Sequence, residues 1–157
     1  MTAWRGRYSI ERHARTDAVR FQGRLYRDRR HWLAEVPVFD ALTQGRTRAE
    51  ALDMIADWFS TMVGRPRFAV RVVNVCGDSF EIAAADTRPM ISLLLRRQRQ
   101  KSGLSLAAVA ERLGARSRNA YARYEQGTTA PTVEKLAELL QAIAPDHEIL
   151  VDFGKAA

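Results

Sequence analysis

The chain has 157 residues, of which 46% are hydrophobic and 27% charged. That apolar content excludes global disorder, and the length suits one sizeable core or two small ones. The formal net charge is +7, which favours a polyanionic partner. No apolar run approaches the ~20 residues a membrane span needs. The opening MTAWRGRYSIERHAR lacks the apolar stretch of a secretory signal. A cytoplasmic protein without a membrane partner is therefore expected. The single cysteine, Cys76, excludes an internal disulfide and a Cys-based metal cluster.

Residues 1–20 show no clean period and read as an arm. Phe21 to Arg27 and His31 to Val36 flank the polar turn Asp28-Arg29-Arg30, which predicts a β-hairpin, broken at Pro37. Leu42-Thr43-Gln44-Gly45 predicts a third short strand. Thr47 followed by Glu50 forms a capping box for a first helix, whose apolar face is Leu52, Ile55, Ala56, Phe59 and Met62. Gly64 and Pro66 end it. Phe68 to Val75 and Phe80 to Ala84 predict a second hairpin. This gives βββαββ over residues 21–86: a small sheet with one helix packed across a face.

Asp86-Thr87-Arg88-Pro89 marks a boundary, after which the period is helical. A second helix runs from about Pro89 to Ser102 and stops at Gly103. A third starts at Ser105, with Val109, Ala110 and Leu113 inward. A fourth covers roughly Ser117 to Gln126 and stops at Gly127. Pro131-Thr132 opens a fifth, with Val133, Leu136, Leu139, Leu140 and Ile143 on its apolar face and Pro145 at its end. Residues 87–146 thus form an all-α domain. In the tail, 147–157, His147 to Phe153 alternates like a final short strand. The expected fold class is α+β.

Charge is unevenly placed. From Arg88 to Arg123 there are 9 basic residues and one acid, Glu111. The same segment carries two short helices meeting at Gly114, the second loaded with polar and basic side chains. A helix-turn-helix needs a supporting helix that fixes a second helix, and polar side chains on that second helix to enter a major groove ~12 Å wide. Val109, Leu113, Tyr121 and Tyr124 can form the seam between the helices. Arg116, Ser117, Arg118, Asn119, Ala122 and Arg123 are then left on or near the outer face, and Ser105 at the start of the supporting helix joins them as a candidate DNA-binding residue. Arginine pairs with guanine O6/N7 and asparagine with adenine N6/N7.

Leu95-Arg96, Arg99, Gly103-Leu104-Ser105, Val109-Ala110, Leu113-Gly114, Arg123-Tyr124-Glu125, Gly127 and Pro131 together resemble the Cro/Xre-type repressor domain over about residues 88–144. The resemblance implies sequence-specific binding of an operator in double-stranded DNA. Leu106 stands where that family often has a phosphate-bracing glutamine. The turn Ala115-Arg116-Ser117-Arg118 is one residue longer than usual.

His31-Trp32-Leu33-Ala34-Glu35-Val36-Pro37, then Leu42-Thr43-Gln44-Gly45 leading to Glu50-Ala51-Leu52, is similar to the HicB family of antitoxins over about residues 21–84. Val38-Phe39-Asp40-Ala41 departs from that family's pattern. The resemblance implies a partial RNase H-like sheet and helix, a small HicA-type ribonuclease toxin as partner, and autorepression by a homodimer or homotetramer. Such toxins are basic, so an acidic patch is required, and Glu35, Asp40, Glu50, Asp53 and Asp57 are its candidates. The alternative is a stand-alone regulator whose N-terminal domain dimerises or binds a ligand. His13, His31 and His147 are scattered, and no nucleophile, metal-ligand or phosphate-loop motif occurs. Neither an enzyme nor a cofactor is expected.

Overall fold

The computed structural model describes residues 19–148 and 150. Its elements in chain order are β1 (Arg20–Asp28), β2 (His31–Val36), a 3-10 turn (Pro37–Phe39), β3 (Ala41–Gly45), α1 (Arg48–Val63), β4 (Val70–Cys76), β5 (Ser79–Ala84), α2 (Thr87–Lys101), α3 (Leu106–Arg112), α4 (Asn119–Glu125) and α5 (Val133–Ile143). The five strands form one antiparallel sheet in the order β3-β2-β1-β5-β4. The chain divides into two compact units between Leu94 and Leu95, inside α2. The composition change at Asp86 marks the start of that helix instead, where Asp86 Oδ1 accepts a hydrogen bond from the Arg88 N–H at 3.0 Å.

In the N-terminal unit, alternation along the strands sends Leu25, Ala34, Val36, Val72, Phe80 and Ile82 to one buried face. Successive antiparallel pairings leave the two edge strands, β3 and β4, running the same way. Helix α1 joins them and packs on β2, β3 and β4. Its Ala51, Leu52, Ile55 and Phe59 are buried, while Ala56 and Met62 stand at the margin of that face. An aromatic chain closes the core: Phe21 meets Phe39 edge-on at 4.8 Å, and Phe39 meets Phe59 at 4.9 Å. Phe39 comes from the 3-10 turn, so the segment after Pro37 is a device for inserting a ring, where the sequence showed only a break.

The Thr-Gln-Gly segment has a structural use. Thr43 Oγ1 donates to the Ala51 carbonyl at 3.3 Å, and Gly45 lies against the backbone of Glu50 and Ala51. Any side chain at Gly45 would collide with that backbone. Thr47 caps α1 by accepting from the Glu50 N–H at 3.1 Å. Glu50 Oε2 in turn accepts from the Arg46 N–H at 2.7 Å, one residue earlier than a standard box. At the far edge, β4 is interrupted between Val73 and Cys76 by a bulge, with Asn74 at φ 49°.

In the C-terminal unit, α2, α3 and α4 end in the same way. The amide of Gly114 donates to Glu111 O and that of Ala115 to Ala110 O, a Schellman closure, with Gly114 at φ 67°. Gly103 and Gly127 repeat the pattern after α2 and α4. Ser105 and Thr132 cap α3 and α5 by accepting from Ala108 N–H at 3.0 Å and Lys135 N–H at 3.2 Å. Val109, Ala110, Tyr121, Tyr124, Leu139 and Ile143 form the core. Val133 does not join the apolar face of α5: it is 69% exposed in the first turn. His147, Glu148 and Leu150 are not in a strand, and the remainder of the anticipated last strand lies outside the described residues, as does most of the anticipated arm.

Candidate nucleic-acid interface

Helix α4 has only seven residues, too few to be stable alone. What fixes it is ionic. Arg99, from α2, places Nε 2.6 Å and Nη2 3.0 Å from the two carboxylate oxygens of Glu125. Its Nη1 donates to the Leu104 carbonyl at 2.8 Å, which ties down the turn before α3. Tyr121, fully buried, donates its hydroxyl to Glu125 Oε1 at 2.7 Å. The pair is nearly dry, with side-chain exposures of 16% for Arg99 and 8% for Glu125. Glu125 holds the Arg99 guanidinium above its ordinary value, and burial pushes the Tyr121 phenol up. A fork-to-fork pair also fixes orientation, because the guanidinium plane must match the carboxylate. Arg112 adds a tie to α5 through Nη1 to Ala142 O at 3.0 Å.

With the inner arc of α4 committed, its outer face is defined. Arg116, Ser117, Arg118, Asn119 and Arg123 are exposed. Ala122 is not on that face: it is buried, flanking the inward arc that Tyr121, Tyr124 and Glu125 define, where its small side chain is covered. Gln126, exposed at the end of the helix, takes its place. The outer stripe of the helix is therefore Asn119, Arg123 and Gln126, with Arg116 exposed in the turn that precedes it, and the 4-3 spacing from Asn119 is the signal that reveals Gln126. Arg123 lies over the Tyr124 ring at 5.2 Å, which orients a long side chain. Ser117 Oγ accepts from the Asn119 N–H at 3.2 Å and helps start the helix. Ser105 uses its oxygen as a cap, and its hydroxyl proton stays available to a phosphate. The carboxylate on the same helix, Glu125, is already paired with Arg99, so the stripe's own charge is positive.

The five acidic candidates do not converge. Glu35 is half-buried, on the sheet face opposite Ala34 and Val36, and accepts from Arg24 Nε at 2.8 Å. Glu50 is engaged in capping. Asp40 closes the 3-10 turn at φ 51°, its amide donating to Pro37 O. Asp53 and Asp57 lie one turn apart on the exposed side of α1, next to Met54, which is 45% exposed. Glu50, Asp53 and Asp57 thus share one acidic stripe, and Glu35 and Asp40 stand apart from it. Among the described residues, no group of three His, Cys, Asp or Glu could hold a metal ion, and no helix is long and apolar enough to cross a membrane.

No curated protein matches the chain. Residues 91–148 match the helix-turn-helix domain family. The match takes in the later part of α2 and all of α3, α4 and α5, which is the segment that carries the Arg99–Glu125 lock and the outer stripe of α4, and it points to DNA-binding regulation for this part of the chain.

Proposed function

We propose that the chain is an autorepressing antitoxin of a toxin–antitoxin system. In this reading the C-terminal unit binds an operator in duplex DNA, and the N-terminal unit, a HicB-like module of partial RNase H-like type, neutralises a small basic ribonuclease toxin of the HicA kind. The observation that carries the DNA-binding part is the outer stripe of α4, backed by a buried ionic pair. Asn119 and Arg123 serve as base readers. Arg116, Ser117, Arg118 and Ser105 hold phosphates. Two copies supply two recognition helices for half-sites about one DNA turn apart. The chain works by binding in the cytoplasm, without cofactor or catalysis.

The toxin-binding part is supported by Asp53 and Asp57 beside exposed Met54 on α1, in a chain whose net charge is +7. A basic partner would find there an apolar contact rimmed by carboxylates. A stand-alone regulator is the second reading, favoured by the internal use of Glu35 and Glu50. Co-expression with the short reading frame beside its gene separates the two. The antitoxin reading expects a stoichiometric complex that survives moderate salt and suppresses RNA cleavage, and that Asp53→Lys with Asp57→Lys weakens. A lone oligomer that still binds its own promoter would establish the second reading.

A further inference from the structure

The β1–β2 hairpin carries a feature that neither the α4 stripe nor the α1 stripe uses. Its register pairs Asp28 with His31, so the loop is the dipeptide Arg29-Arg30. Two-residue hairpin loops favour glycine or asparagine, because the chain must enter the left-handed region there. Arg29 sits at φ 51°, and an L side chain in that conformation is strained. Arg27, Arg29, Arg30 and His31 are all exposed. Arg27 uses one donor, Nε, on the Arg29 carbonyl at 3.3 Å. Three arginines thus face a single acid, Asp28, at the tip of a strand pair. Backbone strain retained at an exposed basic tip is an outlier that asks for a use.

We infer that this tip is a second phosphate-binding surface for duplex DNA, additional to the recognition helix. The inference rests on the proposed DNA-binding function. Guanidinium groups suit phosphate oxygens, which they grip through paired N–H donors. An acidic protein is the poorer occupant. Protein interfaces centre on aromatic or arginine anchors that become buried, and the two rings flanking the tip are already covered by other guanidinium groups, Trp32 by Arg48 at 4.7 Å and Tyr26 by Arg24 at 5.7 Å.

The test is a salt series with the full chain and a duplex of unrelated sequence. Replacing Arg27, Arg29 and Arg30 together by Gln is expected to shallow the log–log slope of affinity against salt by ~0.9 for each phosphate no longer neutralised. Arg29→Gly is expected to raise the melting temperature and still shallow the slope by ~0.9. A residue that merely shapes the turn would move the melting temperature alone. A triple variant that melts like the parent and keeps its slope overturns the tip and leaves operator binding by α4 intact. If that variant keeps its slope but loses capture of a polyglutamate peptide, the tip belongs to an acidic protein and the inference is likewise overturned. Absence of any duplex binding by the parent chain removes both readings.

Discussion

The two units hold a helix in opposite ways. Helix α1 is 16 residues long and is fixed by apolar burial: Leu52, Ile55 and Phe59 enter a core that Phe39 and Phe21 complete. Its polar side is free to carry acids. Helix α4 is seven residues long and is fixed by one ionic cluster together with two tyrosine rings. Its polar side carries bases. A long helix can rely on non-directional burial, which sets depth but tolerates small rotations. A short helix needs directional bonds to fix its rotation, and the proposed role of Asn119 and Arg123 as base readers depends on that rotation being fixed.

That contrast is broken most severely by Phe59→Ala, which should cost about 3–5 kcal/mol through the cavity left among Phe39, Trp58 and Ile55. Chemical denaturation would read it. Glu125→Ala should cost about 3 kcal/mol in the C-terminal unit, since it strands the Arg99 guanidinium with little solvent. Replacing Arg99 and Glu125 together by Met and Leu should recover much of that stability while degrading DNA preference. A pH titration sharpens the same point. Burial and the bond to Glu125 raise the Tyr121 phenol far above its ordinary value of 10.0. The folded state keeps the proton that the unfolded chain releases. Stability is therefore complete below about pH 10 and falls by at most ~1.4 kcal/mol per pH unit above it. Tyr121→Phe should flatten that alkaline limb. Gly114→Ala meets no neighbouring atom within 4 Å, so its cost of about 1–2 kcal/mol is purely the left-handed backbone. Thr47→Ala should cost about 1 kcal/mol by removing one cap from α1.

Sequence made the polar punctuation legible. Thr47, Ser105 and Thr132 announce helix starts because a hydroxyl cap is a local interaction. Gly103, Gly114 and Gly127 announce helix ends because left-handed closure is local too. The polar turn Asp28-Arg29-Arg30 announced the first hairpin for the same reason. The misses are tertiary. Phe39 reads as a side chain after a proline break, and only the assembled core shows the pocket it fills. Ala122 is small enough for either face, and only the packed unit shows that it is buried. Gln126 joins the stripe only once the inward arc is known. Val133 looks apolar-facing by period but precedes the turns of α5 that reach the core. Glu35 looks like a surface acid until Arg24 is found bound to it, and Glu50, legible as a capping residue, binds the Arg46 amide one residue earlier than its pattern implies.

Everything proposed for the C-terminal unit depends on the outer stripe of α4 being the reader of sequence. The direct measurement compares affinity for the DNA upstream of the gene with affinity for an unrelated duplex, in the parent chain and in Asn119→Ala with Arg123→Ala. The preference for the upstream site should fall by about 10- to 100-fold for each base-reading side chain removed, while binding to the unrelated duplex changes far less. An unchanged preference, or equal weakening on both duplexes, would contradict a reading role for the stripe.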